Sequence, residues 1–145
     1  MFAAPDLSDR RYELTTDRAM ALSADVLYRA WTQEFDRWFA APGSVLMEPR
    51  IDAPFFFQTD FQGARHPHYG RFLRLEPARL VELTWVTGDG GTEGAETVVT
   101  VTFTPEADGT RVRLRHAGFP REELRDGHRD AWPLVLEQQE KALRA

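Results

Sequence analysis

The last third of the chain is the stretch that most limits the fold. Two strand-like runs, 97–104 and 110–116, are joined through Asp108-Gly109, a pair typical of a two-residue β-hairpin turn. Residues 127–132 then lead into a terminal amphipathic helix. A long helix that follows a run of antiparallel strands must bury its apolar face on their sheet. The sequence therefore predicts an α+β fold, with a candidate pocket between the sheet and the helix.

The chain as a whole predicts one strand, two short helices and six further strands before the long helix. Ser23 is the expected N-cap of the first short helix, and Phe35, Trp38 and Phe39 mark the second. The connections between the later strands are short, so the sheet should be antiparallel. We expect a single domain over 1–145, with a flexible N-terminus at 1–9. The expected strands are 12–22, 45–50, 55–61, 69–75, 80–86, 97–104 and 110–116, with a turn at 62–67.

Charge and composition exclude several classes of function. The formal net charge of −5 argues against nucleic acid or an anionic membrane surface as the main partner. The chain has no cysteine, which excludes disulfides, thiol nucleophiles and thiolate metal sites. No signal peptide and no apolar run of membrane-spanning length is recognisable. We therefore expect a soluble cytoplasmic protein without a cofactor.

The terminal helix has polar residues within its apolar stripe. Trp132, Leu136 and Leu143 lie on one stripe at 100° per residue, together with Val135 and Ala142. Gln139 lies near the middle of this stripe, and so does His128 if the helix begins before Gly127. A buried polar group without a partner costs about 1–3 kcal/mol. Either these side chains meet polar groups of the sheet, or they face a partly wet cavity.

A search for catalytic groups finds few candidates. The three serines lack a Gly-x-Ser-x-Gly elbow, and His66 and His68 flank Pro67 in the expected turn without a third metal ligand. His116 and His128 could bind a polar ligand or act as an acid–base pair, and a structural role is the alternative. We assign no catalytic residue and no metal site.

Four motifs, in this order and spacing, are similar to those of a known family. They are Ala30-Trp31-Thr32 followed by Trp38, then Glu48-Pro49-Arg50, then Leu80-Val81-Glu82-Leu83-Thr84-Trp85, and last Gly109-Thr110-Arg111-Val112-Arg113-Leu114-Arg115-His116-Ala117-Gly118 with Trp132. Together they resemble the activator-of-heat-shock-protein-ninety ATPase homologue-like (AHSA-type) family of the START-related, or SRPBCC, helix-grip superfamily. The chain departs from that pattern at Ala53-Pro54, where the family usually has two glycines, and at Ala131, where it commonly has one.

The resemblance implies a curved antiparallel sheet wrapped around the C-terminal helix, with two short helices capping an apolar cavity. It does not imply a reaction, because proteins of one fold have many functions. Seven residues are predicted to line the cavity: Trp38, Phe57, Trp85, His116, His128, Trp132 and Gln139.

Three hypotheses for the function follow. The first is binding of a small hydrophobic or amphipathic molecule in the cavity, without covalent chemistry. The second is a co-chaperone-like module in a stress response, which would contact a chaperone through Arg111, Arg113 and Arg115. The third is a cyclase- or hydrolase-like enzyme that uses His116 or His128. The sequence leaves open whether two copies pair through an edge strand.

Overall fold

One long helix and one short helix accompany a six-stranded curved antiparallel sheet, as the α+β helix-grip prediction requires. The structure, a computed structural model, describes residues 3–145. Its strands lie in the order β1-β6-β5-β4-β3-β2, and each neighbouring pair is antiparallel. The elements are β1 (Tyr12–Met20), α1 (Ala24–Thr32), a 3₁₀ turn (Phe35–Arg37), β2 (Pro54–Phe61), β3 (Ala64–Glu76), β4 (Leu80–Trp85), β5 (Thr97–Glu106), β6 (Gly109–Phe119) and α2 (Glu122–Arg144).

Local signals in the sequence set several of these boundaries. Ser23 caps α1 as predicted, because its Oγ accepts a hydrogen bond from the Val26 amide at 3.3 Å. The hairpin between β5 and β6 is displaced by one residue from the prediction, since Gly109 already belongs to β6. A Cβ on Gly109 would lie 2.0 Å from the carbonyl oxygen of Met20. The glycine is thus required by the close approach of this backbone as well as by the turn.

The predicted strand at 45–50 is wrong. This segment is irregular and forms a single bridge, from Leu46 to Phe56 at the outer side of β2. Pro49 has no amide to donate, and the chain bends there before Asp52 takes a positive φ of 64°. The segment therefore covers part of the β2 edge without extending the sheet.

The predicted turn at 62–67 is also wrong. Only Gln62 and Gly63 form the turn, both with positive φ, and β3 begins at Ala64. Two residues with positive φ give the tight turn that matches strand twist. Pro67 is tolerated inside β3 because β4 pairs with β3 only from Phe72 onward, and the one bridge before that joins Tyr69 to Val86, just after β4.

Helix α2 runs alongside β1 and holds the first part of the chain in place. Glu140 accepts a hydrogen bond from the Ala21 amide at 2.8 Å and pairs with the Arg18 guanidinium at 2.9 Å. Nearer its start, the Arg125 guanidinium donates to the carbonyl oxygen of Glu13 at 3.3 Å. Because α2 begins at Glu122, its apolar stripe also includes Leu124 and His128, which precede Trp132 on the helix. The interior of the protein lies between this stripe, α1 and the sheet.

Candidate functional site

The predicted pocket residues lie between the sheet and the helices. His128 is half-buried on the N-terminal half of α2, and the other six are buried. Ring contacts join five of the seven directly, namely Phe57, Trp85, His116, His128 and Trp132. Trp38 is connected to these through Trp31, Phe35 and Phe39. Gln139 lies two helical turns beyond Trp132 on α2. The six buried residues are Trp38, Phe57, Trp85, His116, Trp132 and Gln139.

Aromatic rings in contact fill this interior. The ring of Trp132 lies 5.6 Å from that of Trp85 and 6.1 Å from that of Trp31, and Trp31 lies 4.9 Å from Trp38, measured between centroids. Trp31 and Phe35 are fully buried here but were not among the predicted site residues. The helical spacing of Trp31, Phe35 and Trp38 was the sequence signal that could have placed all three in one buried cluster. A ligand of several atoms can enter only if some of these rings move.

A chain of hydrogen bonds through His116 joins α2 to three strands. The indole N–H of Trp132 donates to His116 Nδ1 at 3.1 Å. Thr97 donates its hydroxyl hydrogen to the carbonyl oxygen of Trp85, so its Oγ1 accepts from His116 Nε2 at 2.8 Å. His116 is therefore neutral and protonated on Nε2, and both of its ring nitrogens are occupied.

These bonds give His116 a structural role. Burial, and the nearby His128, hold the pKa of His116 well below its ordinary value. A fully buried imidazole with both nitrogens bonded within the protein has no free site for moving a proton. The geometry therefore does not favour the acid–base role considered for His116.

His68 and His128 each bond one ring nitrogen to a backbone carbonyl, and no other described residue bonds to the second nitrogen. His128 Nδ1 donates to the Leu124 carbonyl at 2.8 Å, and His68 Nδ1 donates to the His66 carbonyl at 3.0 Å. The prediction that His68 lies in an exposed loop is wrong: it faces inward from β3 and is 9% exposed. The physical reason is the early start of β3, which pairs His68 with Phe57 across the hairpin.

We expect acid to destabilise the protein through these histidines. Burial lowers the pKa of His68 to about 4 and lowers those of His116 and His128 below 6.5. The unfolded chain then binds more protons than the native protein below about pH 6.5. The free energy of unfolding should be fully retained above pH 6.5 and should fall toward pH 5, by up to about 1.4 kcal/mol per pH unit for each histidine.

Urea unfolding between pH 5 and 8 measures this dependence in a range above the titration of most carboxylates. The matched control is His66→Gln, because His66 is exposed on the same strand as His68. His68→Gln should reduce the slope by more than this substitution does. A free energy of unfolding that stays constant from pH 8 to pH 5 would contradict the expectation.

Polar atoms without partners lie in the apolar interior. Gln139 is fully buried on α2 between Leu136 and Leu143, and within residues 3–145 neither its Oε1 nor its Nε2 has a hydrogen-bond partner. The indole nitrogen of Trp31 is likewise buried and unpaired among the described residues. The sequence left two alternatives for Gln139, pairing with polar groups of the sheet or facing a partly wet cavity. Pairing with the sheet is not found among the described residues.

Two surface clefts lie apart from this interior. Neither contains any of the seven predicted site residues. The smaller, about 220 Å³, is lined by the N-terminal segment around Leu7 and Arg10 and by β6. The larger, about 760 Å³, is lined by Ala24, Asp25, Arg74, Glu76, Ala78, Arg79, Leu80, Thr102, Phe103, Thr104 and Pro105.

Ion pairs neutralise most of the arginine row on the outer face of the sheet. Arg115 pairs with Glu13 on β1, and Arg111 pairs with Glu106 at 3.0 Å and with Asp17 at 3.6 Å. Exposed pairs of this kind contribute little stability, but they reduce the positive potential of the face. The row is thus a mixed-charge surface, which does not favour the predicted chaperone contact.

Across residues 3–145, no group of three or more His, Asp or Glu side chains is placed to hold a metal ion. No helix in the same part of the chain is long and apolar enough to cross a membrane.

Solved structures share this fold. The protein CV1439 from Chromobacterium violaceum superposes with a TM-score of 0.77 at 20% identity, over 92% of this chain and 98% of its own. The protein MLL2253 from Mesorhizobium loti gives 0.74 at 23% identity, over 91% and 96%. CalU16 from Micromonospora echinospora gives 0.67 at 23% identity, over 90% and 75%. At these identities the similarity establishes the fold alone.

The family itself is established by sequence. No curated protein matches the chain significantly. The family model described as "Activator of Hsp90 ATPase homolog 1-like protein" matches residues 21–144, which contain α1, five of the six strands and α2. The chain therefore belongs to the activator of Hsp90 ATPase homolog 1-like family, whose members typically have a ligand-binding cavity.

Proposed function

We propose that the protein binds a small hydrophobic or amphipathic molecule in the interior between the sheet and α2, without covalent chemistry. The observation that carries the proposal is the side chain of Gln139, whose two polar atoms are buried and have no partner within residues 3–145. Protein interiors rarely contain such groups, and each one calls for an explanation. A bound molecule with a polar group would pair with this amide.

The surroundings of Gln139 support a mostly apolar ligand. Leu136 and Leu143 flank it on the helix stripe, and the tryptophan rings lie further along the same interior. A ligand-binding site of this kind is largely apolar and has a few polar groups that fix orientation. The unpaired indole N–H of Trp31 is a second candidate donor to the ligand.

Entry requires movement at the rim of the interior. Phe39 and His128 are only half-buried, whereas the tryptophans behind them are buried. Phe39 contacts Trp85 and His68, and His128 contacts His116. Rotation of these two side chains would open the interior with the least disturbance of the core.

A neutral apolar dye tests the proposal. Titration with N-phenyl-1-naphthylamine should give saturable binding of one dye per chain, and native mass spectrometry of the purified protein should detect co-purified small molecules in the same stoichiometry. Matched controls are Leu46→Ser and Leu134→Ser, because both leucines are 68% exposed. If these surface changes abolish binding, or if binding does not saturate, the proposal is wrong.

Neither alternative function is favoured by an observation of this structure. The enzyme hypothesis loses its main candidate because both nitrogens of His116 are bonded within the protein. The co-chaperone hypothesis loses its candidate surface because Arg111 and Arg115 are paired with acidic side chains.

A further inference from the structure

His68 and His128 each keep one ring nitrogen that no described residue occupies. A backbone carbonyl can only accept, so the Nδ1 of each ring carries the hydrogen that bonds to it. In the neutral imidazole the other nitrogen, Nε2, then has a free lone pair. Among the described residues no donor reaches either Nε2, so both acceptors are available to a ligand.

Aromatic rings form the walls of this region, which we call the histidine recess and define by His68, His128, Phe57, Trp85 and Phe119. The His68 ring stacks on Phe57 at 4.9 Å with 14° between the planes, and its centroid lies 5.3 Å from that of Trp85. The His128 ring lies 4.8 Å from Phe119.

The rings on both sides of the recess are connected. Trp85 contacts His116, which in turn contacts His128, with centroid separations of 6.4 Å and 5.2 Å. A positive charge on His128 also lowers the pKa of His68, which is the expected effect between imidazoles that are close in a buried region. The two imidazoles thus belong to one connected set of rings.

Such a recess discriminates among polar groups. Lone pairs attract an O–H or N–H donor and repel a carboxylate or phosphate oxygen. An anion would be accommodated only if the imidazoles became protonated, and burial opposes this for both of them. Planar neighbours on several sides favour a flat ring as the body of the ligand.

We propose that the histidine recess binds an uncharged aromatic molecule through a ring hydroxyl or ring N–H that donates to Nε2 of His68 or His128. This inference rests on the proposed ligand-binding function and adds the chemical class of the ligand. It also assigns a binding role to His68. The recess is a different part of the interior from the surroundings of Gln139, which lies about 16 Å further along α2 than His128, at 1.5 Å per residue.

Three probes with the same ring system test the inference by calorimetry at pH 7.5: 2-naphthol, 2-methoxynaphthalene and 2-naphthoate. We expect 2-naphthol to bind at least about tenfold more tightly than the ether, as one hydrogen bond would give. The naphthoate should bind more weakly than either. Equal affinity for naphthol and ether would overturn the recess while leaving the proposed function intact. Failure of all three to bind would overturn the recess, and the proposed function would then be decided by the dye titration.

Substitutions identify the acceptors. His68→Phe and His128→Phe keep a ring in place but remove Nε2, so each should reduce the advantage of naphthol over the ether without weakening the ether. His66→Phe is the matched control and should change neither affinity, because His66 is exposed at the hairpin. If His66→Phe reduced the advantage of 2-naphthol over the ether as much as His68→Phe does, the assignment of His68 as an acceptor would be overturned.

A second measurement on the unmodified protein does not depend on the folding of variants. The ¹⁵N spectrum of labelled histidine side chains distinguishes the two neutral tautomers. His68 and His128 should both carry the hydrogen on Nδ1, with Nε2 signals that shift on addition of 2-naphthol. An Nε2–H tautomer at both positions would remove the acceptors and overturn the inference.

Discussion

Replacing Trp132 with alanine should lower the free energy of unfolding by about 3–5 kcal/mol, the range for removal of a large buried aromatic side chain. Trp132 contacts Trp31 and Trp85, so its loss leaves a cavity between the helices and the sheet. It also leaves Nδ1 of the fully buried His116 without its donor. Since domains of this size are stable by only about 5–15 kcal/mol, the change should remove a large part of the total.

Chemical denaturation at pH 7.5 measures this loss, and two variants separate its causes. Trp132→Phe retains most of the ring but not the indole N–H, so it should lose less, about 1–3 kcal/mol. Leu134→Ala is the matched control on the exposed face of α2, where a substitution should change stability by about 0.5 kcal/mol or less. A loss below about 1 kcal/mol in Trp132→Ala would show that Trp132 does not join α2 to the sheet.

The parts of the fold that could be predicted from sequence are those with strong local signals. The hydroxyl of Ser23 and the spacing of α1 identified the first helix, and the alternation in β4 and β5 identified inner and outer faces. The segment at 45–50 looked like a strand because its alternation is also strand-like. Only the tertiary structure shows that Pro49 and the backbone at Asp52 take it away from the sheet.

The candidate site could be predicted only in part, for similar reasons. Helical phase found Gln139 and His128, because both residues share one element with the apolar stripe. His68 was missed because the turn was predicted to extend over 62–67, whereas it ends at Gly63 and β3 begins at Ala64. That Gln139 lacks a partner among residues 3–145 depends on how α2 packs against the rest of the fold, which no local pattern contains.

Gln139→Met should stabilise the protein and weaken ligand binding at the same time. Methionine has nearly the same shape and brings no unpaired polar atoms into the interior, so the free energy of unfolding should rise by about 1–3 kcal/mol. The melting temperature should rise by about 2–4 °C for each kcal/mol in a domain of this size. A ligand that bonds to the Gln139 amide should lose at least about tenfold in affinity, the equivalent of one hydrogen bond.

The matched control for this substitution is Gln138→Met. Gln138 is the preceding residue of α2 and has the same side chain, but it lies on the exposed face of the helix. This change should alter stability by no more than about 0.5 kcal/mol and should leave binding unchanged. A comparable gain in stability from both changes would point to helix propensity and not to relief of a buried amide.

The central claim, that Gln139 is retained inside the core for a bound molecule, is tested most directly by one paired measurement. The unfolding free energy of Gln139→Met and its affinity for the small molecules that co-purify with the unmodified protein are determined together. The account predicts a more stable protein that binds these molecules at least about tenfold more weakly. A variant that is less stable, or one that binds them with unchanged affinity, would contradict it.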